Sequence, residues 1–169
     1  AGRLEFSGDA FAVAEQIVVN LFGDGMFSAS ANGVLVFRSG TSGNSQLTWF
    51  DRSGKSLGSV GPPGDYVNLA LSADGKRVAF QRQVSPGDRD IWQMEIDRPV
   101  PQRFTFSPSD DTNPLWSPDG STIVFASNRE GRSQLFQKPS SGVGSEELLV
   151  KTDGDSIPID WSADGRFLI

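Results

Sequence analysis

The sequence predicts an all-β protein of repeated antiparallel units, on two observations: a recurrent turn motif and the regular spacing of its copies. The clearest copy is PLWSPDGSTIVF at 114–125. Pro118, Asp119 and Gly120 suit the successive corners of a type I turn. The apolar residues 123–125 that follow favour an extended chain. The stretch is therefore predicted to be a β-hairpin.

The same hairpin recurs along the whole chain. Residues 69–80 and 159–169 are close copies, and residues 27–37 are a weaker copy with asparagine in the aspartate position. The turn glycines follow one another at steps of 42, 45 and 45 residues: Gly33, Gly75, Gly120 and Gly165. A period of this length indicates a repeat built from one supersecondary unit.

Two further alternating runs fill each period after the hairpin. The third run covers 46–51, 90–96 and 133–138, and the fourth covers 56–60, 102–106 and 147–151. Four antiparallel strands in roughly 45 residues are the blade of a β-propeller. The sequence thus predicts a single domain over 1–169, with about four blade equivalents. Its units are 1–22 (partial), 23–64, 65–109, 110–154 and 155–169 (partial).

The partial units leave two arrangements open. Predicted strands at 3–6 and 10–19 can pair with the 159–169 hairpin and close a split fourth blade. Alternatively the chain is part of a larger propeller, and its open strand edges pair with a second copy in a homodimer.

Composition excludes several classes of function. A net charge of −6 without a basic stripe argues against nucleic acid or anionic membrane as the main partner. No apolar run approaches the roughly 20 residues of a membrane span. The absence of His and Cys excludes ordinary zinc sites, Cys/His nucleophile pairs and a His base. We therefore expect no catalytic residue, no metal and no cofactor in this stretch.

Residues 113–136 carry a resemblance to a known family. WSPDG followed by an apolar triplet, then SNREG at 127–131 and QLF at 134–136, resembles the repeat of TolB-type, WD-repeat-like propellers. QLTWFDR at 46–52 with GPPG at 61–64 further resembles the C-terminal propeller region of bacterial receptor-type serine/threonine kinases. The resemblance implies a non-catalytic module for protein or peptide binding within a larger bacterial protein. It also implies an extracytoplasmic, periplasmic location, with a cytoplasmic one as the alternative.

The sequence suggests a candidate binding face at one end of the blades. Asp65, Asp110 and Asp155 recur every 45 residues, just before the first strand of each unit. Because the strands alternate in direction, this end also carries the connections between second and third strands. Those connections supply the arginines Arg82, Arg89, Arg129 and Arg132. The mixed charge predicts a surface for a peptide or polar ligand, whereas the alternative is that the aspartates cap turns or pair with arginines.

Two enzymatic interpretations remain beside the binding module. The chain can be the gating propeller of a prolyl-oligopeptidase-type serine peptidase whose catalytic domain lies outside it. It can also be a carboxylate-based hydrolase or lyase that uses the recurring aspartates. The 45-residue symmetry makes those aspartates alike, which argues against distinct acid and base roles.

Overall fold

The computed structural model describes residues 27–29, 35–41, 44–51 and 53–169. The predicted strands at 3–6 and 10–19 and the turn at Gly33 lie outside these residues. In the described part of the chain, no helix is long and apolar enough to cross a bilayer.

The described strands form three four-stranded antiparallel sheets, each following the order of the chain, which confirms the predicted fold class. The first sheet contains β1 (Phe27–Ala29), β2 (Leu35–Thr41), β3 (Asn44–Phe50) and β4 (Ser56–Gly64). The second contains β5 (Val67–Leu71), β6 (Arg77–Ser85), β7 (Asp88–Glu95) and β8 (Gln102–Arg103). The third contains β9 (Asp111–Trp116), β10 (Thr122–Ser127), β11 (Gln134–Pro139) and β12 (Glu147–Val150).

The Ser-x-Asp-Gly turns of the second sheet, the third sheet and the 157–169 hairpin share one set of hydrogen bonds. Ser72 Oγ donates to Asp74 Oδ1 at 2.6 Å and accepts from the amide of Arg77 at 2.9 Å. Gly75 closes the turn at a φ of 70°, which suits glycine. Ser117 with Asp119 and Ser162 with Asp164 repeat this pattern at 2.6 and 2.7 Å. The predicted hairpin turns are therefore confirmed at three positions.

Apolar side chains pack between neighbouring sheets. One cluster joins the first and second sheets, and a second cluster joins the second and third. The largest fully buried side chains are phenylalanines, Phe80, Phe104 and Phe125. Burial of such side chains contributes about 1.5–3 kcal/mol each to stability. The blade boundaries are thus the hydrophobic core.

A further hairpin follows the third sheet at residues 157–169. Trp161 and Leu168 form an antiparallel bridge, and the amide of Ile159 donates to the carbonyl of Ile169 at 2.7 Å. Ile159 and Ile169 are 70% and 72% exposed. The hairpin has the predicted turn but shorter pairing than the equivalent strands of the three sheets.

Candidate functional site

The structure joins Asp110 and Arg89 of the predicted binding face. Arg89 Nη1 lies 3.7 Å from Asp110 Oδ2. Asn128, in the connection between β10 and β11, donates its amide to the carbonyl of Asp110 at 3.3 Å. The residues just before the first strand of a unit and the connections between second and third strands therefore lie at the same end of the blades. Ion pairs at the protein surface contribute about 0–1 kcal/mol.

The other charged residues of that face make different contacts. Asp155 Oδ1 accepts from the amide of Ser133 at 2.9 Å, and Arg132 Nη1 donates to the carbonyl of Asp153 at 2.8 Å. The Arg82 guanidinium lies 5.2 Å from the centre of the Trp92 ring. Half-buried Asp65 lies between β4 and β5. The binding role of this face stays a prediction.

Arg129 makes a contact that the sequence did not predict. Its Nη2 atom donates to both carboxylate oxygens of Asp111 at 3.0 and 3.1 Å and lies 2.7 Å from Glu146 Oε2. Asp111 is fully buried. Arg129 therefore neutralises buried charge at the blade boundary.

A second buried carboxylate, Asp90, lies at the same boundary. Arg103 Nη2 lies 2.5 Å from Asp90 Oδ2, and the Thr105 hydroxyl donates to Asp90 Oδ1 at 3.2 Å. Buried Lys138 donates from Nζ to the carbonyl of Phe104 at 2.8 Å. We call the charged groups between the second and third sheets the interblade ionic cluster: Asp90, Arg103, Asp111, Arg129, Lys138 and Glu146.

Burial sets the protonation of the two aspartates. It raises the pKa of Asp90 from 3.8 to about 6, against the opposing charge of Arg103. Burial also raises the pKa of Asp111, against hydrogen bonds from Ser127 and Arg129. Both acids are therefore more easily protonated in the folded chain than in the unfolded one.

Replacing Asp90 with asparagine is expected to reduce the pH dependence of stability. The folded pKa lies above the unfolded value, so stability from Asp90 is present below pH 3.8 and is lost as the pH rises through about 6. The melting temperature of Asp90→Asn relative to wild type should therefore rise between about pH 4.5 and 7.5. Thermal denaturation followed by circular dichroism measures this.

Asp119→Asn is the matched control, since hydrogen bonds from Ser117 and Ser121 lower the pKa of Asp119 to about 2. The change in melting temperature that Asp119→Asn causes should be the same at about pH 4.5 and at about pH 7.5. A constant offset for Asp90→Asn across this range would contradict the proposed titration.

The first strands of the sheets line an inner groove of about 1110 Å³. Leu69 from β5, Leu115 from β9 and Ile157 and Ile159 from the terminal hairpin supply apolar walls. We use the name inner groove for this surface. Its apolar lining and its course along several first strands suit an extended polypeptide.

Two asparagines shape the wall of the inner groove. Asn68 and Asn113, 45 residues apart, adopt positive φ angles of 49° and 53°. They lie at register shifts in the β5–β6 and β9–β10 pairings. Such bulges leave an extra residue outside the ladder, and asparagine tolerates this backbone conformation better than most residues. The repeat thus places irregular backbone along the groove.

Successive four-stranded sheets whose first strands line a common groove define the chain as a repeat protein of the β-propeller class. The family PD40, described as the TolB beta propeller domain, matches residues 63–169. The chain belongs to this family.

Curated relatives and solved structures agree with that assignment. The chain is 32% identical over 102 residues to "Uncharacterized peptidase YuxL" of Bacillus subtilis, covering 57% of this chain and 15% of that protein. It is 28% identical over 105 residues to "Protein TolB homolog" of Chlorobium luteolum, covering 60% and 23%. The crystal structure of TolB from Acinetobacter baumannii has a TM-score of 0.71 at 23% identity, covering 83% of this chain and 35% of that one. The chain spans less than a quarter of these two curated relatives.

Proposed function

We propose that this chain is a non-catalytic β-propeller module of a larger bacterial protein and binds a protein or peptide in the inner groove. The observation that supports this most directly is the apolar groove of about 1110 Å³ along the first strands. Ile157 and Ile159 line it and are 49% and 70% exposed. Binding of a peptide there removes these side chains from water, which is favourable.

The charged face is proposed to act at one opening of the groove. Mixed charge at the rim of an interface mainly affects partner choice and the association rate. The pair of Arg89 and Asp110 suits this role, because the Arg89 side chain is exposed and that of Asp110 is partly accessible to solvent. The other residues proposed for this rim are Asp65, Asp155, Arg82 and Arg132. Arg129 is not included, because its guanidinium pairs with buried Asp111 and with Glu146.

Replacing Ile159 with arginine is expected to weaken peptide binding at least tenfold without lowering the melting temperature. Ile159 is exposed and lines the groove, so a bound apolar ligand would have to desolvate the arginine charge, while the core stays unchanged. Peptides selected from a random display library on the wild-type chain, then measured by calorimetry, supply the affinities.

Val143→Arg is the control for that experiment, because Val143 is 77% exposed and does not line the inner groove. It should bind the selected peptides like wild type. Equal loss of affinity in both variants would contradict binding in the groove.

A second candidate function is that of a propeller attached to a peptidase domain. It is supported by the 32% identity to a protein named as an uncharacterized peptidase. This stretch contains no His or Cys, so a nucleophile–base pair of the usual kind would lie elsewhere. A gating propeller lets peptides pass to the peptidase domain and does not need to bind them with measurable affinity. Failure of the display selection to give saturable binders favours this second function.

The proposed location is extracytoplasmic, on the periplasmic side of the cell. This rests on the resemblance to TolB-type propellers. Cell fractionation of the protein that carries this chain tests it, and recovery with cytoplasmic markers supports the alternative.

A further inference from the structure

Arg77 fills the boundary between the second and third sheets at the end that carries the Ser-x-Asp-Gly turns. Its guanidinium lies 4.5 Å from the centre of the Trp116 ring. Nη2 donates to the carbonyl of Gly120 at 2.8 Å, and Nη1 donates to Ser140 Oγ at 3.0 Å. A planar guanidinium can stack on a ring and donate two hydrogen bonds at the same time, whereas the ammonium group of lysine cannot stack in this way.

The next boundary, between the third sheet and the terminal hairpin, has a threonine at the position equivalent to this arginine. The positions 45 residues further along are Thr122 for Arg77, Trp161 for Trp116 and Gly165 for Gly120. These three residues line a cavity of about 510 Å³, which we call the turn cavity. A threonine side chain is shorter than arginine by several atoms. The turn cavity therefore occupies the space that the Arg77 side chain fills one blade earlier.

Trp161 is less enclosed than Trp116. Trp116 is 4% exposed, and its indole donates to the carbonyl of Ala70 in the preceding sheet at 2.9 Å. Trp161 is partly exposed, and its indole donates to Gly165 in its own turn at 3.1 Å. An aromatic face thus borders the turn cavity instead of being covered.

Two carboxylates, Asp119 and Asp164, complete the lining of the turn cavity. Hydrogen bonds from Ser117 and Ser121 lower the pKa of Asp119 to about 2, and the hydrogen bond from Ser162 lowers the pKa of Asp164. Both are ionised at neutral pH. Arg166 Nη1 lies 3.9 Å from Asp164 Oδ2, and both side chains are exposed, so this pair is weak.

We propose that the turn cavity binds the guanidinium of an arginine side chain carried by a bound peptide. The ring of Trp161 offers a stacking surface, and the carboxylates of Asp119 and Asp164 offer charge and acceptors. Arg77 on Trp116 is the template for this arrangement within the same molecule.

The turn cavity adjoins the inner groove. Ser117, Pro118, Trp161 and Ala163 line both. A peptide in the groove can therefore place one side chain in the cavity. The inference rests on the proposed function, and it specifies that the peptide bound in the inner groove carries an arginine side chain.

Titration of the tripeptide acetyl-Gly-Arg-Gly-amide, followed by ¹H–¹⁵N NMR, tests the site. The indole N–H signal of Trp161 is expected to shift saturably, while that of Trp116 stays in place as the internal control. The isosteric neutral tripeptide with citrulline should bind at least about fivefold more weakly, and Asp164→Asn should weaken the arginine peptide about two- to fivefold. No shift of Trp161, or equal affinity for arginine and citrulline, would overturn the inference.

Thr122→Arg supplies the missing guanidinium from the chain itself. It is expected to abolish the shift by the arginine peptide, because the new side chain fills the cavity as Arg77 fills its own. Thr122→Met has similar length without charge and is the matched variant; it should block the cavity without gaining a salt-dependent increase in melting temperature. Unchanged binding of the arginine peptide by both variants would overturn the inference.

Two further comparisons are needed. One distinguishes an arginine carried by a peptide from an arginine of a second copy of the chain, and the other distinguishes failure of the arginine site from failure of peptide binding in the inner groove. If the arginine came from a second copy of the chain, the Trp161 signal would shift on dilution of the protein alone, which would overturn a peptide source. Display-selected peptides that bind equally well after arginine is replaced by citrulline would overturn the inference and leave the proposed function intact. A tripeptide shift without any groove-binding peptide would contradict the proposed function alone.

Discussion

Replacing Arg129 with alanine is expected to lower the free energy of unfolding by about 3 kcal/mol, because removing one partner of a buried ion pair leaves an uncompensated charge. Arg129 donates two hydrogen bonds to Asp111, which is fully buried. The same guanidinium lies 4.4 Å from the centre of the Phe136 ring, so packing is lost as well. Urea denaturation followed by tryptophan fluorescence measures the loss.

Arg132→Ala is the control for this variant. Arg132 lies three residues further along, and its guanidinium donates to one exposed backbone carbonyl, that of Asp153. We expect its replacement to lower the free energy of unfolding by less than about 1 kcal/mol. The double variant Arg129→Ala with Asp111→Asn should recover part of the loss, because asparagine carries no charge to be left unpaired. Similar losses in Arg129→Ala and Arg132→Ala would contradict the role of the interblade ionic cluster.

Replacing Trp116 with alanine is expected to destabilise the chain by about 3–5 kcal/mol, the range for removing a large buried aromatic side chain. Trp116 is 4% exposed and belongs to the core cluster between the second and third sheets. Its loss also leaves the carbonyl of Ala70 without the indole donor and removes the ring under Arg77. The free energy of unfolding in urea is again the measurement.

Trp161→Ala provides a comparison at the equivalent repeat position. Trp161 is partly exposed and bonds within its own turn, so we expect a loss of less than about 1.5 kcal/mol. Equal losses for the two tryptophans would show that the terminal hairpin packs as tightly as the complete sheets do. That result would also remove the open aromatic face on which the turn cavity depends.

The stability of the blade boundaries bears directly on the inner groove. First strands from separate sheets line this groove, so their relative positions depend on how the sheets are held together. Lys138 of the third sheet donates from Nζ to the carbonyl of Phe104, which follows β8 of the second sheet, at 2.8 Å, and this directional contact adds to the apolar contacts between the two sheets. A preorganised groove binds a peptide with a smaller loss of conformational entropy.

The repeat could be predicted from the sequence because turn chemistry is local. Ser117, Asp119 and Gly120 satisfy one another within four residues, and the bonds that the structure shows are those the residue types allow. The spacing of these turns then fixed the number of strands in each unit. Three sheets in the described part of the chain follow from that pattern.

The interblade ionic cluster could not be predicted in this way. A search for repeats identifies residues that recur, and the position of Asp111 is occupied by Tyr66 one unit earlier and by Ser156 one unit later. The sequence also offered Asp110 as the recurring acid, whereas the buried acid is its neighbour Asp111. Only packing decides which of two adjacent aspartates turns inward.

By itself, then, the sequence determined the all-β class, the four-stranded unit and the turns between strands, because each depends on contacts within a few residues or on a regular period. The tertiary structure decided which charges are buried and which aromatic rings are covered. Among the residues that the structure describes, Arg77 stacks on Trp116 and no arginine is seen to stack on Trp161, although the two tryptophans occupy the same place in the repeat. That difference depends on the side chain that the neighbouring blade presents, and it is visible only once the blades are packed together.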